Sequence, residues 1–417
     1  MAQNEFEAIV VGGGAAGIAA ARRLRKAGID ALLVEARPRL GGRALSVTEG
    51  SGLAIDLGCG WLHSADRNPW LPIAEAQGRS IDRTAPPWAR ASGQIGMSRS
   101  DRAAFAAALQ AFRERAEAIG EAGADRPASR FLDPQSPWNG LIDAVSTYYS
   151  GAELDNVSAR DLARYDDSGV NWRIVEGYGR TIVDHANDLP VKLDCQVLRI
   201  DRRAKQLRIE TARGSIGAQT AIVTLPSNIL AEQPGLFLPA LTGKTQAAAD
   251  LPLGLADKLF LSLANPEPFE VESRAFGAQD RAATGAYHFR PFGRPQIECY
   301  FGGALAAELE RGGEGAFLDF AVAELVGLLG SDFSSQVKLL RLHCWGADRF
   351  ARGSYSCALP GRADSRAALS APVDDRLFFA GEACSSSDFS TAHGAWLTGV
   401  AAAEQAIRVL RGDELKS

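Results

Sequence analysis

Gly12, Gly14 and Gly17 stand between an apolar run, Glu5 to Val11, and a helical pattern, Ala15 to Ala27, which is answered by a second apolar run, Ala31 to Glu35. A buried strand, a turn built on glycine and a helix leading to another strand make one βαβ unit that lacks only its third strand. Such a unit serves a dinucleotide. Gly12 permits the tight turn, Gly14 lets backbone approach a pyrophosphate, and Gly17 lets helix and strand pack closely. The helix N-terminus brings unpaired N–H groups and a partial positive charge to the phosphates. Glu35, an acid at the end of the second strand, accepts hydrogen bonds from the adenosine ribose.

NAD and FAD satisfy that pattern equally, so the choice rests on the segment Glu35-Ala36-Arg37-Pro38-Arg39-Leu40-Gly41-Gly42-Arg43. Gly41 and Gly42 allow a second close backbone approach, and the planar guanidinium of Arg43 can neutralise pyrophosphate oxygens bidentately. Two phosphate loops in succession point to FAD.

At 417 residues the chain exceeds what one core organises, so two domains are expected. A composition 46% hydrophobic and 23% charged is that of a folded globular protein. With a net charge of −5 and basic residues scattered rather than massed, nucleic acid is not an expected partner. Six cysteines without a CxxC pair and five dispersed histidines argue against a zinc site or a disulfide framework. Met1 to Glu7 carries two acids and runs straight into a strand, which reads as no signal or transit peptide; the expected location is cytoplasmic. The apolar stretch Gly394 to Leu410 is interrupted by Glu404, Gln405 and Arg408, so it reads as a buried helix and not a membrane span.

Between about Met97 and Tyr165 the pattern becomes helical, with helices expected at Asp101 to Glu121, Leu141 to Ser150 and Ser158 to Tyr165. A helix at Arg180 to Asp188 leads into short β-branched runs at Val191 to Leu193, Gln196 to Asp201, Gln206 to Thr211 and Ala221 to Leu225, a meander ending on a buried strand. Alternating runs at Lys258 to Ala264, Gly285 to Arg290 and Gln296 to Phe301, a helix at Gly315 to Leu329 and a strand at Val337 to His343 suggest a second sheet. Arg376 to Gly381 reads as a buried strand that turns into the C-terminal helix. The fold class is therefore α/β, a Rossmann-like domain with a parallel sheet joined to a mixed-sheet and helical domain. The expected division assigns 1–80, 171–234 and 346–417 to FAD binding, 81–170 to the helical part of a substrate domain and 235–345 to its sheet.

Several further blocks carry a resemblance: Asp56-Leu57-Gly58-Cys59-Gly60-Trp61-Leu62-His63, Thr224-Leu225-Pro226, Trp345 with Arg352-Gly353-Ser354-Tyr355-Ser356, Phe378-Phe379-Ala380-Gly381-Glu382-Ala383 and Thr391-Ala392-His393-Gly394-Ala395. With the N-terminal block, and in this order, they resemble the flavin-containing amine oxidases, a family that includes monoamine oxidases, polyamine oxidases and lysine-specific histone demethylases. The resemblance covers nearly the whole chain and implies the two-domain amine oxidase fold. It implies that Gly381 and Glu382 close the FAD site from the far end of the chain, with Val197 near the adenine and Thr391 and Ala392 beside the isoalloxazine. Arg37, Gly60, Trp61 and Trp345 join the expected cofactor-binding set. A helix starting near His393 would point its positive end at the flavin, where negative charge accumulates on reduction.

The same resemblance implies the reacting groups. Lys258 resembles the family lysine that reaches a water near flavin N5; a buried lysine is easily depressed in pKa and so suited to proton handling. Tyr355 resembles the tyrosine that stacks on the substrate amine. Ser354 stands where monoamine oxidases carry the cysteine bound to flavin, so noncovalent FAD is expected. Thr391 replaces the second tyrosine of their aromatic cage, and with Trp61-Leu62-His63 this resembles the polyamine oxidases, giving His63 a candidate substrate role. No tower-like helical insertion is evident, so a histone substrate is not expected. No arginine lies around Gly58 to His63 to meet an α-carboxylate, the nearest being Arg67. The implied reaction is oxidation of an amine C–N bond to an imine, with a small-molecule amine and molecular oxygen as partners and hydrogen peroxide as product. Two readings stay open beside it, a flavin desaturase or oxidase of an apolar molecule and a flavin-binding redox protein without turnover. Homodimerisation is left open by the sequence.

Overall fold

The computed structural model describes residues 5–50, 52–118 and 123–412. They form two compact units, the first drawn from Met1–Ile81, Tyr165–Pro252 and Asp364–Ser417, the second from Asp82–Arg164 and Leu253–Ala363.

In the first unit Glu5–Val11 is a strand whose last four residues are buried, and the helix Ala15–Lys26 comes directly after Gly14. The strand pairs in parallel with Ala31–Val34 on one side and with Gly214–Val223 on the other, and Ala31–Val34 pairs in turn with Val191–Lys192. This supplies the third strand that the N-terminal unit lacks. Gly214–Val223 serves two sheets' worth of partners. Its first half closes an antiparallel meander with Leu207–Thr211 and Val197–Asp201, while its second half pairs in parallel with Glu5–Val11 and with Leu377–Phe379. The expected strand began only at Ala221, because the outer half, buried on one face alone and interrupted by glycine, lacks a continuous apolar run.

The helices Ala15–Lys26 and Ala392–Arg411 pack together through small residues, and a Cβ at Gly399 would come within 2.2 Å of the Ala16 carbonyl oxygen. Ile18, Leu24, Leu33, Trp70 and Phe378 are fully buried in the core they share with the sheet. Each aliphatic side chain so buried stabilises the unit by about 1.5–3 kcal/mol.

The second unit is built on a six-stranded sheet in the order Val337–His343, Ala256–Leu263, Gln296–Gly302, Ala286–Phe289, Ser273–Phe276 and Gln94–Ile95, antiparallel except for the last pair. Leu259, Leu261, Ile297, Cys299 and Phe301 point from one face into a core shared with Phe317 and Leu325 of the helix Gly303–Leu329. The period of two then places Lys258, Glu298 and His288 together on the other face. That helix starts twelve residues before the expected Gly315, and Gly313, at φ 77° and ψ −170°, interrupts it. The Gly-rich stretch signals a break, and the chain resumes as helix beyond it. Helices at Arg99–Glu117, Asn139–Ser150 and Ala159–Arg164 form the helical part. The end of the expected helix Asp101 to Glu121, from 119 on, lies outside the described residues.

Three stretches change sides relative to the division expected from sequence, the shortest being 165–170, which joins the first unit. Residues 346–363 belong to the second unit because Tyr355–Ser356 pairs with Leu253–Gly254. Residues 235–252 belong to the first because the helix Thr242–Ala249 packs on Ser227–Glu232 and Ser365–Ser370.

Candidate cofactor and active-site residues

The three N-terminal glycines are held by different contacts. Gly12 has φ 105°, and a Cβ there would meet Thr224 Oγ1 at 2.7 Å; the Thr224 hydroxyl bonds the carbonyl oxygens of Val11 and Gly12. A Cβ on Gly17 would lie 1.9 Å from the Gly12 carbonyl oxygen, so helix and turn touch through bare backbone. Around Gly14 nothing lies within 4 Å of the position a Cβ would take. Among the described residues no side chain caps the helix that starts there. Its first-turn N–H groups therefore suit a phosphate as cap.

Glu35 is buried beside this turn. Its Oε2 accepts from Gly13 N at 2.6 Å and its Oε1 from Arg37 N at 2.8 Å. Each carboxylate oxygen keeps a second lone-pair direction for a hydroxyl. Asp194 N and Cys195 N donate to the carbonyls of Arg37 and Glu35, which draws the segment leading to Val197 alongside. Gly42 closes on the glycine turn, since its Cβ would lie 3.2 Å from Gly14 Cα, and Gly41 N donates to Gly13 O.

From the other end of the chain comes Glu382, whose Oε1 pairs with Arg43 Nη1 at 2.8 Å and whose Oε2 accepts from Ser390 N. Thr398 pins Gly381, itself at φ 139°, by bonds to both its N–H and its carbonyl. A shallow cleft at this junction is lined by Arg43, Pro226, Phe379, Gly381 and Glu382. A dinucleotide needs approachable backbone, N–H groups for phosphate, a cation and a ribose acceptor, and the first unit assembles all four from Gly14, the helix start, Arg43 and Glu35. FAD fits this set.

Thr391 has a role that the sequence did not announce. Its hydroxyl accepts from Gly394 N at 2.9 Å and donates to Asp388 O at 2.6 Å, which makes it the N-cap of the helix Ala392–Arg411. The donor of the hydroxyl and one of its two acceptor sites are thereby used in the cap. The Ala392 carbonyl accepts from Trp70 Nε1, Trp70 N donates to Asn68 Oδ1, and Asn68 Nδ2 donates to His63 O. His63 Nδ1 lies 2.6 Å from Asn171 Oδ1, which orients the ring. In the same loop, which includes Gly60, Trp61 lies under Arg173, with 4.7 Å from Cζ to the ring centroid. Proximity in sequence to this loop misses Arg173, which is 112 residues away along the chain. Arg67, the nearest in sequence, is paired with Asp166.

The second unit gathers Lys258, Trp345 and Tyr355 at one end of its sheet. Trp345 N donates to Asp257 Oδ1, its carbonyl accepts from Gly353 N, and its ring lies against His343, which sits directly opposite Lys258. Tyr355 pairs with Gly254, and its hydroxyl donates to the Tyr148 carbonyl. Lys258 is 8% exposed and its Nζ lies 2.9 Å from Glu298 Oε1. Burial works against the Glu298 charge, but Lys258 and His288 hold that carboxyl well below the usual range. The lysine expected to be buried stands in an ion pair, whose negative partner favours the ammonium and works against the depression that burial alone brings. Glu298 escaped notice because its strand alternates, and an acid at an alternate position reads as solvated.

Ser354 Oγ donates to Ala256 O at 2.7 Å and accepts from Ala256 N at 2.9 Å, so it is fixed within its own unit. Acid precipitation of the flavin-loaded protein is expected to leave the yellow colour in the supernatant; colour in the pellet would show a covalent bond. Among the described residues there is no cluster able to hold a metal ion and no helix long and apolar enough to cross a membrane. All six cysteines are free thiols.

Comparison with known proteins agrees with this assembly. The model of the family described as flavin containing amine oxidoreductase matches residues 96–407, and that of an NAD(P)-binding Rossmann-like domain matches residues 10–73. Polyamine oxidase 2 of Arabidopsis thaliana is 30% identical over 96% of this chain and 88% of its own length. Polyamine oxidase 4 of Oryza sativa subsp. japonica is 28% identical over 95% and 88%. A solved structure of a redesigned putrescine oxidase shares the fold, with a TM-score of 0.78 over 97% of this chain and 99% of that one at 16% identity. A nucleotide cradle completed across the length of the first unit, and a family match spanning three quarters of the chain, identify it as a member of the flavin-containing amine oxidoreductases, an FAD-dependent enzyme that oxidises amines.

Proposed function

We propose that the chain oxidises an amine lacking an α-carboxylate, of the polyamine or simple monoamine class, to an imine that water hydrolyses to an aldehyde or ketone. Oxygen takes the two electrons and two protons and leaves as hydrogen peroxide. The observation that carries this reading is Lys258, a buried cation at the end of the sheet near which Trp345 and Tyr355 stand, Trp345 against its cross-strand partner His343. The likeness to plant polyamine oxidases over most of both lengths supports the substrate class.

Glu35, Arg43, Gly14 and the first turn of the helix Ala15–Lys26 would hold FAD, with Gly381, Glu382 and Val197. Bound FAD supplies the acceptor for a hydride equivalent from the carbon next to nitrogen. Tyr355, with its hydroxyl spent on Tyr148, offers its aromatic face to the amine. Thr391 contributes through the cap that sets the start of its helix, and His63 through the orientation that Asn171 gives it. Lys258, paired as an ammonium, donates hydrogen bonds and takes no proton from the substrate. The substrate ammonium therefore loses its proton to water before its C–H bond can react. Asp166, Asp167 and Glu176 are each engaged within the protein, by Arg67, Gly169 N and Ser80 N.

The test is a peroxide-coupled screen of aromatic monoamines, aliphatic diamines and polyamines. Arg173 beside Trp61 favours a second reading, an amine that carries a carboxylate, so L-amino acids belong in the same screen. Turnover of a polyamine or monoamine, rising with pH through the amine ionisation between about pH 6 and about pH 9, is the expected result. Turnover of L-amino acids alone would overturn the first reading in favour of the second.

A further inference from the structure

Behind Lys258 the sheet carries a row of buried ionisable groups that cofactor binding does not require. Glu298 Oε1 meets Lys258 Nζ at 2.9 Å and accepts from the Tyr300 hydroxyl at 2.8 Å. Glu298 Oε2 lies 3.6 Å from His288 Nδ1, and His288 Nε2 lies 2.6 Å from Glu272 Oε2. The other oxygen of Glu272 accepts from Phe292 N at 2.6 Å, which anchors the far end in backbone. Lys258, Glu298, His288 and Glu272 are all less than a tenth exposed.

Register builds this row. Glu298 stands directly opposite His288 on one neighbouring strand and diagonal to Lys258 on the other, where Tyr300 is the direct partner. A run of cation, anion, cation, anion is neutral as a whole when His288 is charged. Taking four such groups out of water is costly, and apolar side chains of similar volume usually stabilise a fold as well or better. A stability role alone does not account for the row, and its one end is the lysine of the reacting set.

We propose that Glu298, backed by His288 and Glu272, is the positioning residue that fixes Lys258 as an aimed ammonium, so that the lysine acts as a donor throughout amine oxidation. This rests on the proposed amine oxidase function. The other titratable or charged groups on the elements packed around Lys258 are Lys338, Arg341 and His343 on Val337–His343, Tyr287 on Ala286–Phe289, Arg274 on Ser273–Phe276, Asp143, Tyr148 and Tyr149 on Asn139–Ser150, and Glu308, Glu310, Arg311, Glu314, Asp319 and Glu324 on Gly303–Leu329. Asp257 and Glu310 are engaged at the Trp345–Gly346 turn, and Asp348 is 3.3 Å from His343. Within the row, Glu298 is the carboxylate at ion-pair distance from Lys258.

The experiment is a double-mutant cycle of Glu298→Gln and Lys258→Met, read first on the flavin-free protein. In the Lys258 background Glu298→Gln is expected to lower Tm by about 5–10 °C, and in the Lys258→Met background by clearly less, because there the substitution leaves no unpaired ammonium. In the flavin-loaded enzyme Glu298→Gln is expected to add an alkaline limb to kcat/KM, moving its fall about one pH unit or more towards neutrality as the unpaired lysine loses its proton. Glu298→Asp, which keeps the charge, should restore the original profile. Equal Tm losses in both backgrounds with an unmoved pH profile would overturn the proposal and make Glu298 a packing residue. Coupling in the flavin-free protein without turnover of any amine would uphold the clamp and overturn the functional reading instead.

Discussion

Gly14→Ala and Gly17→Ala are expected to fail in different ways. The Gly17 variant drives a methyl group to within 1.9 Å of the Gly12 carbonyl oxygen, and neither partner can rotate aside because both are backbone. Overpacking of this kind costs about 3 kcal/mol or more, enough to separate helix from strand and to lose flavin and stability together. At Gly14 the backbone is extended, at φ −80° and ψ −174°, and the space a methyl group would take is open to the chain itself. That variant should keep the Tm of the flavin-free parent and bind FAD about a hundredfold more weakly, since the methyl group stands where a pyrophosphate must approach. Thermal unfolding of the flavin-free proteins beside flavin retained per mole of protein makes the comparison. Equal Tm losses in the two variants would mean that Gly14 serves folding and not the cofactor.

His288→Gln should produce the largest change in how stability depends on pH. Burial lowers the His288 pKa, but hydrogen bonds and charges from Glu272 and Glu298 outweigh it and leave the imidazole raised above its ordinary value. A raised group stabilises fully below its unfolded pKa of about 6.5, and that contribution disappears as pH climbs through the folded value. Glu298 is depressed, so its contribution is present above about pH 4.3 and disappears as pH falls through its folded value. The row therefore stabilises most between about pH 4.3 and about pH 6.5. Removing the imidazolium leaves Glu272 and part of Glu298 facing without their shared cation, a loss of about 3–5 kcal/mol near pH 6. The alkaline decline due to His288 should vanish with it. A Tm series from about pH 4 to about pH 9 reads both effects, and an unchanged alkaline slope in the variant would show that His288 is neutral in the fold.

The local chemistry of the N-terminal unit made it legible. Its glycines, its apolar runs and Glu35 lie within about thirty residues, and strand, turn and helix are each dictated by neighbours in sequence. The strand Val337–His343 has the bounds expected of it. What escaped was set by register. Glu298 reaches Lys258 and His288 only once three strands are aligned, and no spacing along the chain announces that alignment. Arg173 likewise meets Trp61 across two loops. Ser273–Phe276 is four residues long and pairs with Gln94–Ile95, too short a run for alternation to mark. Thr391 was noticed for the residue it replaces, while its work as a cap depends on the helix it begins. The FAD assignment reached further than the first glycines because Arg43 and Glu382, named separately, prove to be partners.

That partnership spans 339 positions of sequence. During synthesis the glycine turn leaves the ribosome first, and at about 5–20 residues per second its acidic counterpart emerges roughly 20 to 70 s later. Once Gly214–Val223 has emerged, the parallel strand Leu377–Phe379 is still missing, so the inner half of Gly214–Val223 waits with one edge unpaired. The nascent chain must hold an incomplete sheet through that wait, and flavin capture follows the emergence of Glu382 and not that of the motif that announces it.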